Sequence, residues 1–163
     1  MIYRDRASFG KRIEYRIIAE LLAANFDVFI PLVDDHGVDC VIKSIQNGSQ
    51  SDYKEIQIKA RSKNADCRSQ GCFTVDNHIK KDKFYFIFYS EELNLKWCFT
   101  SEEFIQETKE SNGSRTKGRR KITLFKKYKS KMDIVPKYGK YIIEDYSKLN
   151  LNSNYKQRTK SVK

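Results

Sequence analysis

The chain has 163 residues, with 32 Lys and Arg against 21 Asp and Glu, a formal net charge of +11. A hydrophobic fraction of 39% and an aromatic fraction of 13% exclude a wholly disordered chain, and no stretch approaches the ~18 apolar residues of a transmembrane helix. The opening MIYRDRASFGKRIEYR lacks the apolar centre of a secretory signal, so a cytoplasmic setting is expected, with no membrane partner.

The charge is unevenly spread. Residues 1–108 hold 15 cations and 17 acids, whereas residues 109–163 hold 17 cations and 4 acids. The expected organisation is therefore a core domain over 1–108 and a basic extension over 109–163, packing on or trailing from it, with residues 152–163 disordered. A basic segment on a near-neutral body points to a polyanion partner, nucleic acid first among them. The irregular spacing of Cys40, Cys67, Cys72 and Cys98 gives neither a disulfide framework nor paired CxxC zinc ligands, so free thiols are expected.

In chain order, Phe9, Ile13, Ile17, Leu21 and Ala24 recur at helical spacing, widened by Ile18 and Leu22. They predict an amphipathic helix capped by Ser8 and stopped at Asn25. A short strand, 27–30, ends at Pro31, and a second runs over 38–45 after a Gly-containing turn. The loop 46–52 contains Asn-Gly and predicts a hairpin. It leads into a third strand, 53–60, in which Ile56, Ile58 and Ala60 oppose Glu55, Gln57 and Lys59.

Residues 61–71 read as loop and 72–75 as a short strand. Residues 84–89 (FYFIFY) form a continuous apolar run, typical of a central strand buried on both faces. A strand over 95–99 precedes a helix that Ser101 would cap and that fades near Glu110. Residues 111–118 read as loop, 121–125 as a late strand, and 141–149 as a short helix. The order predicts an α/β (α+β) domain around one mixed sheet, flanked by helices.

One group of polar residues stands out. Asp39 lies just inside the second strand, and Gln57 and Lys59 share one face of the third. A hairpin pairing of these strands brings the three together, and Glu14 on the first helix flanks its apolar stripe toward the same sheet edge. A carboxylate, a second oxygen donor and a lysine at a strand end match what metal-assisted phosphodiester hydrolysis requires. Mg²⁺ or Mn²⁺ would take Asp39, the Gln57 carbonyl and Glu14, while Lys59 offsets negative charge or carries a proton. Each residue alone has a plainer reading: Asp39 as a turn carboxylate, and Glu55, Gln57 and Lys59 as a solvated sheet face.

The segments Gly10-Lys11-Arg12-Ile13-Glu14, Asp35-His36-Gly37-Val38-Asp39-Cys40-Val41-Ile42 and Glu55-Ile56-Gln57-Ile58-Lys59-Ala60-Arg61-Ser62 together resemble the PD-(D/E)xK nuclease superfamily. The resemblance covers about residues 8–100. It is nearest to the small bacterial branch with a helical Glu, a GxD strand and a QxK strand, similar to Holliday-junction-resolvase-like nucleases. It implies a restriction-endonuclease-like core: a helix, a three-stranded meander, a second helix and a further strand. It also implies Mg²⁺-dependent DNA cleavage by Glu14, Asp39, Gln57 and Lys59. Val38 replaces the motif proline, and Gln57 stands at the acidic position, removing one charge from the metal site.

The basic residues Arg115, Lys117, Arg119, Arg120, Lys121, Lys126 and Lys127 are expected to contact phosphates, with Tyr128, Tyr138 and Tyr141 stacking on bases. Three functions stay open: a metal-dependent endodeoxyribonuclease, a catalytically inactive nucleic-acid-binding module on the same fold, and a protein-interaction subunit of a defence or repair system that uses its basic tail on an acidic partner protein. DNA is the expected partner, RNA the open alternative, and a homodimer the arrangement that would cut both strands.

Overall fold

The structure is a computed structural model that describes residues 3–33, 37–46, 50–65, 71–128 and 131–150. Helix α1 spans Tyr3–Ala23. It starts five residues before Ser8, which is an exposed position inside it rather than its cap. The helix ends where expected. Asn25 takes a left-handed φ of 62°. Its amide donates to Leu22 O and that of Phe26 to Leu21 O, a paired arrangement that satisfies the last carbonyls. Ile13, Ile17, Ile18 and Leu21 are buried, each contributing about 1.5–3 kcal/mol relative to exposure. Leu22, expected to widen the stripe, is instead 54% exposed.

Strands β1 (Asp27–Phe29), β2 (Cys40–Gln46) and β3 (Gln50–Arg61) follow as an antiparallel meander. Gln46 pairs with Gln50, and the predicted Asn47-Gly48 turn lies outside the described residues. Strand β5 (Phe84–Ser90) runs parallel to β3, with Gln57 beside Phe86. Strand β6 (Leu95–Thr100) pairs antiparallel with β5, and β10 (Ile142–Ile143) closes the far edge. The result is a six-stranded mixed sheet in the order β1-β2-β3-β5-β6-β10, the expected α+β architecture.

The sheet separates two cores. On one face α1 packs against Cys40, Ile42, Ile56, Ile58, Tyr85, Ile87 and Tyr89. On the other lies an aromatic layer containing Phe84, Phe86, Phe88, Trp97, Phe99 and Phe104. The alternation of β5 between the two explains why every one of its residues is buried. A less expected residue lies under α1: Lys54 is 1% exposed and donates to Asp52 at 2.6 Å, and Lys83 also pairs with Asp52 at 2.6 Å.

The link from β3 to β5 departs from the implied core. In place of a crossover helix, its described residues form β4 (Cys72–Asp76), which pairs with β7 (Arg119–Thr123) as a separate ribbon over the aromatic layer. The polar stretch after Arg61 has no helical apolar stripe, whereas Phe73 and Val75 alternate as a half-buried strand requires. Gly71 enters this ribbon so close to Phe125 that an added Cβ would sit 2.0 Å from Phe125 O. Only glycine fits there.

Helix α2 (Ser101–Glu107) is shorter than predicted and is capped by Thr100, not Ser101. Thr100 Oγ1 accepts from Glu103 N at 3.1 Å, and Glu103 Oε2 accepts from Thr100 N at 2.8 Å, a reciprocal capping box. The predicted late strand divides at Leu124 into β7 and β8 (Phe125–Tyr128), because the Leu124 amide turns aside to Gly71 O. Strand β8 pairs with β9 (Lys131–Ile134), an element additional to the expected order. The predicted helix over 141–149 is two 3-10 helices, Pro136–Tyr141 and Ser147–Asn150, around β10. Residues 152–163, expected to be disordered, lie outside the described residues.

Candidate active site and nucleic-acid interface

The meander sets the geometry of the site. The ladder between β2 and β3 ends at Cys40 opposite Ile56, and one further bond, from Asp39 N to Ile56 O at 2.9 Å, closes it. Beyond that point β3 continues to Arg61 beside β5, while the chain of β2 turns away. The next amide on the vacated edge belongs to Ile58, and it donates to Asp39 Oδ2 at 2.6 Å. The carboxylate thus takes over where the backbone partner has left, and it does so between Gln57 and Lys59. The expected proximity of Asp39 to the Gln57-x-Lys59 element is present.

Gln57 is buried. Gly37, with φ of +65°, packs its backbone on the carboxamide so closely that an added Cβ would lie 2.3 Å from Gln57 Nε2. The glycine of the turn is therefore a site residue by its absence of a side chain. Lys59 is half-buried on the same face, next to Phe88 in the register. Glu55, also on this face, pairs with Lys81 at 3.6 Å.

Glu14 approaches from the opposite side of the sheet, since α1 covers the face of Ile56 and Ile58 while Gln57 and Lys59 face the aromatic layer. Asp39, at the edge, is the residue common to both sides. Glu14 forms an ion pair with Lys11. That hydrogen bond, opposed by burial and aided by the charges of Glu14 and Asp39, holds the Lys11 ammonium above its ordinary value. Burial, joined by the charges of Asp39 and then Glu14, pushes the Cys40 thiol up to about 12. The two carboxylates therefore share one electrostatic neighbourhood. Among the described residues no three His, Cys, Asp or Glu side chains gather as a metal-binding group. At the edge of β3 the oxygen donors at hand are the Asp39 carboxylate and the Gln57 carboxamide, the kind of donor a hard ion that keeps several waters accepts.

A groove of about 420 Å³ opens beside Gln57, lined by Gly37, Gln57, Val75, Asp76, His78 and Lys81 among others. His78 follows β4. Its Nε2 bonds Ser101 Oγ at 2.8 Å, and its ring meets Phe86 edge-on at 4.7 Å. Burial first, then the charges of Lys81 and Arg120, push the imidazole down to about 4, so it is neutral at physiological pH. His36, Asp34 and Asp35 lie outside the described residues.

The basic residues fall into two places. Pairing of β7 with β4 puts Arg119 opposite Asp76, which lines the groove, and Asn77 N donates to Gly118 O at 3.0 Å. Arg119 and Lys121 are exposed at alternate positions of β7, and Arg115 and Lys117 are exposed in the loop before it. Arg120 turns inward, donating to Thr108 O at 3.1 Å and pairing with Glu110 at 3.6 Å. Lys126 is exposed, and Lys127 pairs with Glu92 at 3.0 Å, toward the Arg61 end of β3. Tyr138 and Tyr141 are 5% exposed within the aromatic layer, so they pack the core rather than stack on bases. Pro136 starts a 3-10 turn that folds both rings inward, and Tyr141 stacks on Phe99 at 4.0 Å. The Tyr128 side chain lies outside the described residues. Cys40, Cys72 and Cys98 are buried free thiols, and Cys67 is not among the described residues.

No family model matches this chain. No curated protein matches it either. Among solved structures it is similar to a bacterial homing endonuclease, I-Ssp6803I, at 22% identity and a TM-score of 0.48, over 75% of this chain and 79% of that one. No described helix is long and apolar enough to cross a membrane.

Proposed function

We propose that this chain is a metal-dependent nuclease of the PD-(D/E)xK type that hydrolyses phosphodiester bonds in DNA, with Glu14, Asp39, Gln57 and Lys59 as its centre. The observation that carries the reading is the bond from the Ile58 amide to Asp39 Oδ2, which ties an acidic side chain to the backbone between Gln57 and Lys59. An aspartate needed only to finish a ladder would not require an amide and a lysine on either side of its anchor, nor a glycine pressed on that amide beside an open groove.

Asp39 and the Gln57 carbonyl would hold Mg²⁺ or Mn²⁺, with Glu14 reaching the ion through water. The ion would offset phosphate charge and lower the pKa of a coordinated water. Lys59 presents its ammonium to the scissile phosphate and stabilises the charge that develops there. The Ile58 amide fixes the Asp39 rotamer, so little reorganisation is needed on binding. Arg115, Lys117, Lys121 and Lys126 hold the backbone, while Arg119, Arg120 and Lys127 are engaged by Asp76, Glu110 and Glu92.

The test is incubation with supercoiled, linear, single-stranded and branched DNA, and with RNA, in Mg²⁺, Mn²⁺ or EDTA. Cleavage that needs metal and is lost in Asp39→Ala and Lys59→Ala supports the reading. Metal-independent cleavage, or equal cleavage by the variants, refutes it. A second reading, a catalytically silent binding module, is favoured by the neutral Gln57 at the acidic position. It predicts salt-sensitive binding that survives Asp39→Ala. Cutting of both strands would call for a homodimer, visible by sedimentation with DNA.

A further inference from the structure

The β4–β7 ribbon has a buried side and a polar side. Phe73, Val75 and Ile122 are buried against the aromatic layer. At the alternate positions, Thr74 pairs with Lys121 and Asp76 with Arg119 across the ribbon. The ribbon is fastened to the candidate centre, because Val75 and Asp76 line the groove that holds Gln57. Its end is locked by the contact of Asn77 with Gly118, which has a φ of +80° and no room for a Cβ beside Asn77 Oδ1.

A surface that only neutralises phosphates gains nothing from a carboxylate beside one of its cations, where it repels the same phosphates. Asp76 ends β4 directly opposite Arg119, the first residue of β7, and it does something specific. Arg119 Nε donates to Asp76 Oδ1 at 2.6 Å, while the arginine side chain is still 43% exposed. The bond occupies one edge of the guanidinium and restricts its rotamers. The two terminal amino groups are left as a planar donor pair, which matches O6 and N7 of guanine. A two-stranded ribbon also has the width that the major groove of B-DNA admits.

We propose that the outward face of β4–β7 reads the sequence of duplex DNA through the major groove. Arg119, oriented by Asp76, contacts a guanine, with Thr74 and Lys121 beside it. This rests on the proposed action on DNA, and it extends that action from holding a backbone to choosing a site.

The test is a binding selection in EDTA, so that cleavage does not intervene, with the full chain and duplexes carrying a randomised central segment. The wild type is expected to enrich a motif containing guanine. Arg119→Ala and the charge-conserving Arg119→Lys are each expected to weaken preference at one guanine by about 5- to 150-fold. Lys126→Ala should instead lower binding to all sequences and leave the motif unchanged. No enrichment by the wild type, or the same motif from Arg119→Ala, overturns the proposal. Thermal unfolding of each variant confirms that the exposed substitution leaves the fold intact. A final arm adds Mg²⁺ to the enriched duplex. An Arg119-dependent motif without cleavage removes the nuclease reading and keeps the ribbon. Metal-dependent cleavage with an unchanged motif in Arg119→Ala does the reverse.

Discussion

Replacing Gly37 with alanine sets a methyl group 2.3 Å from Gln57 Nε2, whereas ordinary contacts begin at 3.4 Å. The carboxamide must retreat by about 1 Å, and a misplacement of that size at a reacting centre costs on the order of 100-fold in rate. The backbone adds its own term. A φ of +65° lies in the left-handed region, which costs an L-residue about 1–2 kcal/mol. The expected outcome is a stability loss of that order by urea unfolding, with nicking of supercoiled plasmid slowed about 100-fold at fixed Mg²⁺ and partly restored by more metal. Gly10→Ala is the control. Gly10 lies within α1 with nothing within 4 Å of an added Cβ, so it should gain about 0.5–1 kcal/mol and leave cleavage unchanged. A Gly37→Ala chain that remains folded and cuts like the wild type would show that the position of Gln57 is irrelevant to the chemistry.

Asp39→Asn keeps an acceptor for the Ile58 amide and should retain most of the stability while losing metal-dependent cleavage. Asp39→Ala should lose cleavage and also about 1–3 kcal/mol in urea unfolding, because that amide is left without its acceptor. Lys54→Ala leaves Lys83 as the cation paired with the buried Asp52 and is expected to destabilise by about 1–3 kcal/mol, whereas Lys54→Met with Asp52→Leu should be close to neutral. Burial raises the Asp52 carboxyl, but its bonds to Lys54 and Lys83 outweigh this and hold it below the usual value. Its contribution is therefore present at neutral pH and fades as pH falls below about 4, a loss absent from the double variant in acid unfolding. His78 has the opposite charge logic. Its folded-state value of about 4 lies below the unfolded 6.5, so the unfolded chain binds the proton first between those limits. Stability should fall as pH drops from 6.5 to about 4, and His78→Gln should flatten that slope in urea titrations.

Local patterns were the legible part of this fold. The period-2 alternation of β3 placed Gln57 and Lys59 on one face, and the turn before β2 placed Asp39 at a strand start. The loop between the strands allows an antiparallel pairing that brings these residues together, but the register that does so is fixed only by the ladder of β2 with β3. The signal for Lys54 was also available: it shares a face with Ile56 and Ile58, which makes it a buried lysine once that face is covered. What the sequence could not show is contact between remote segments. Pairing of β4 with β7, the bond of His78 to Ser101 and the inward turn of Tyr138 and Tyr141 each depend on a neighbour more than twenty residues away. In the Lys- and Tyr-rich last third no periodicity separates the buried rings of Tyr138 and Tyr141 from the exposed cations, so composition alone points both toward nucleic acid. The displaced cap of α2 had a subtler cause, since Thr100 and Ser101 are equally good cap residues and only the Glu103 spacing distinguishes them.

The pairing of β4 with β7 has a consequence for how the chain comes into being. As the protein leaves the ribosome, α1 and the meander are complete once residue 61 has been made. The layer of Phe84, Phe86, Phe88 and Phe99, however, keeps one side bare until residues 119–150 have been made. For that interval the nascent chain carries a sticky aromatic sheet and no acidic or basic cover for it, the condition in which aggregation and chaperone capture compete with folding. The last third of the sequence, which composition alone marks as an appendage for nucleic acid, is thus also the lid under which the rest of the molecule finishes folding.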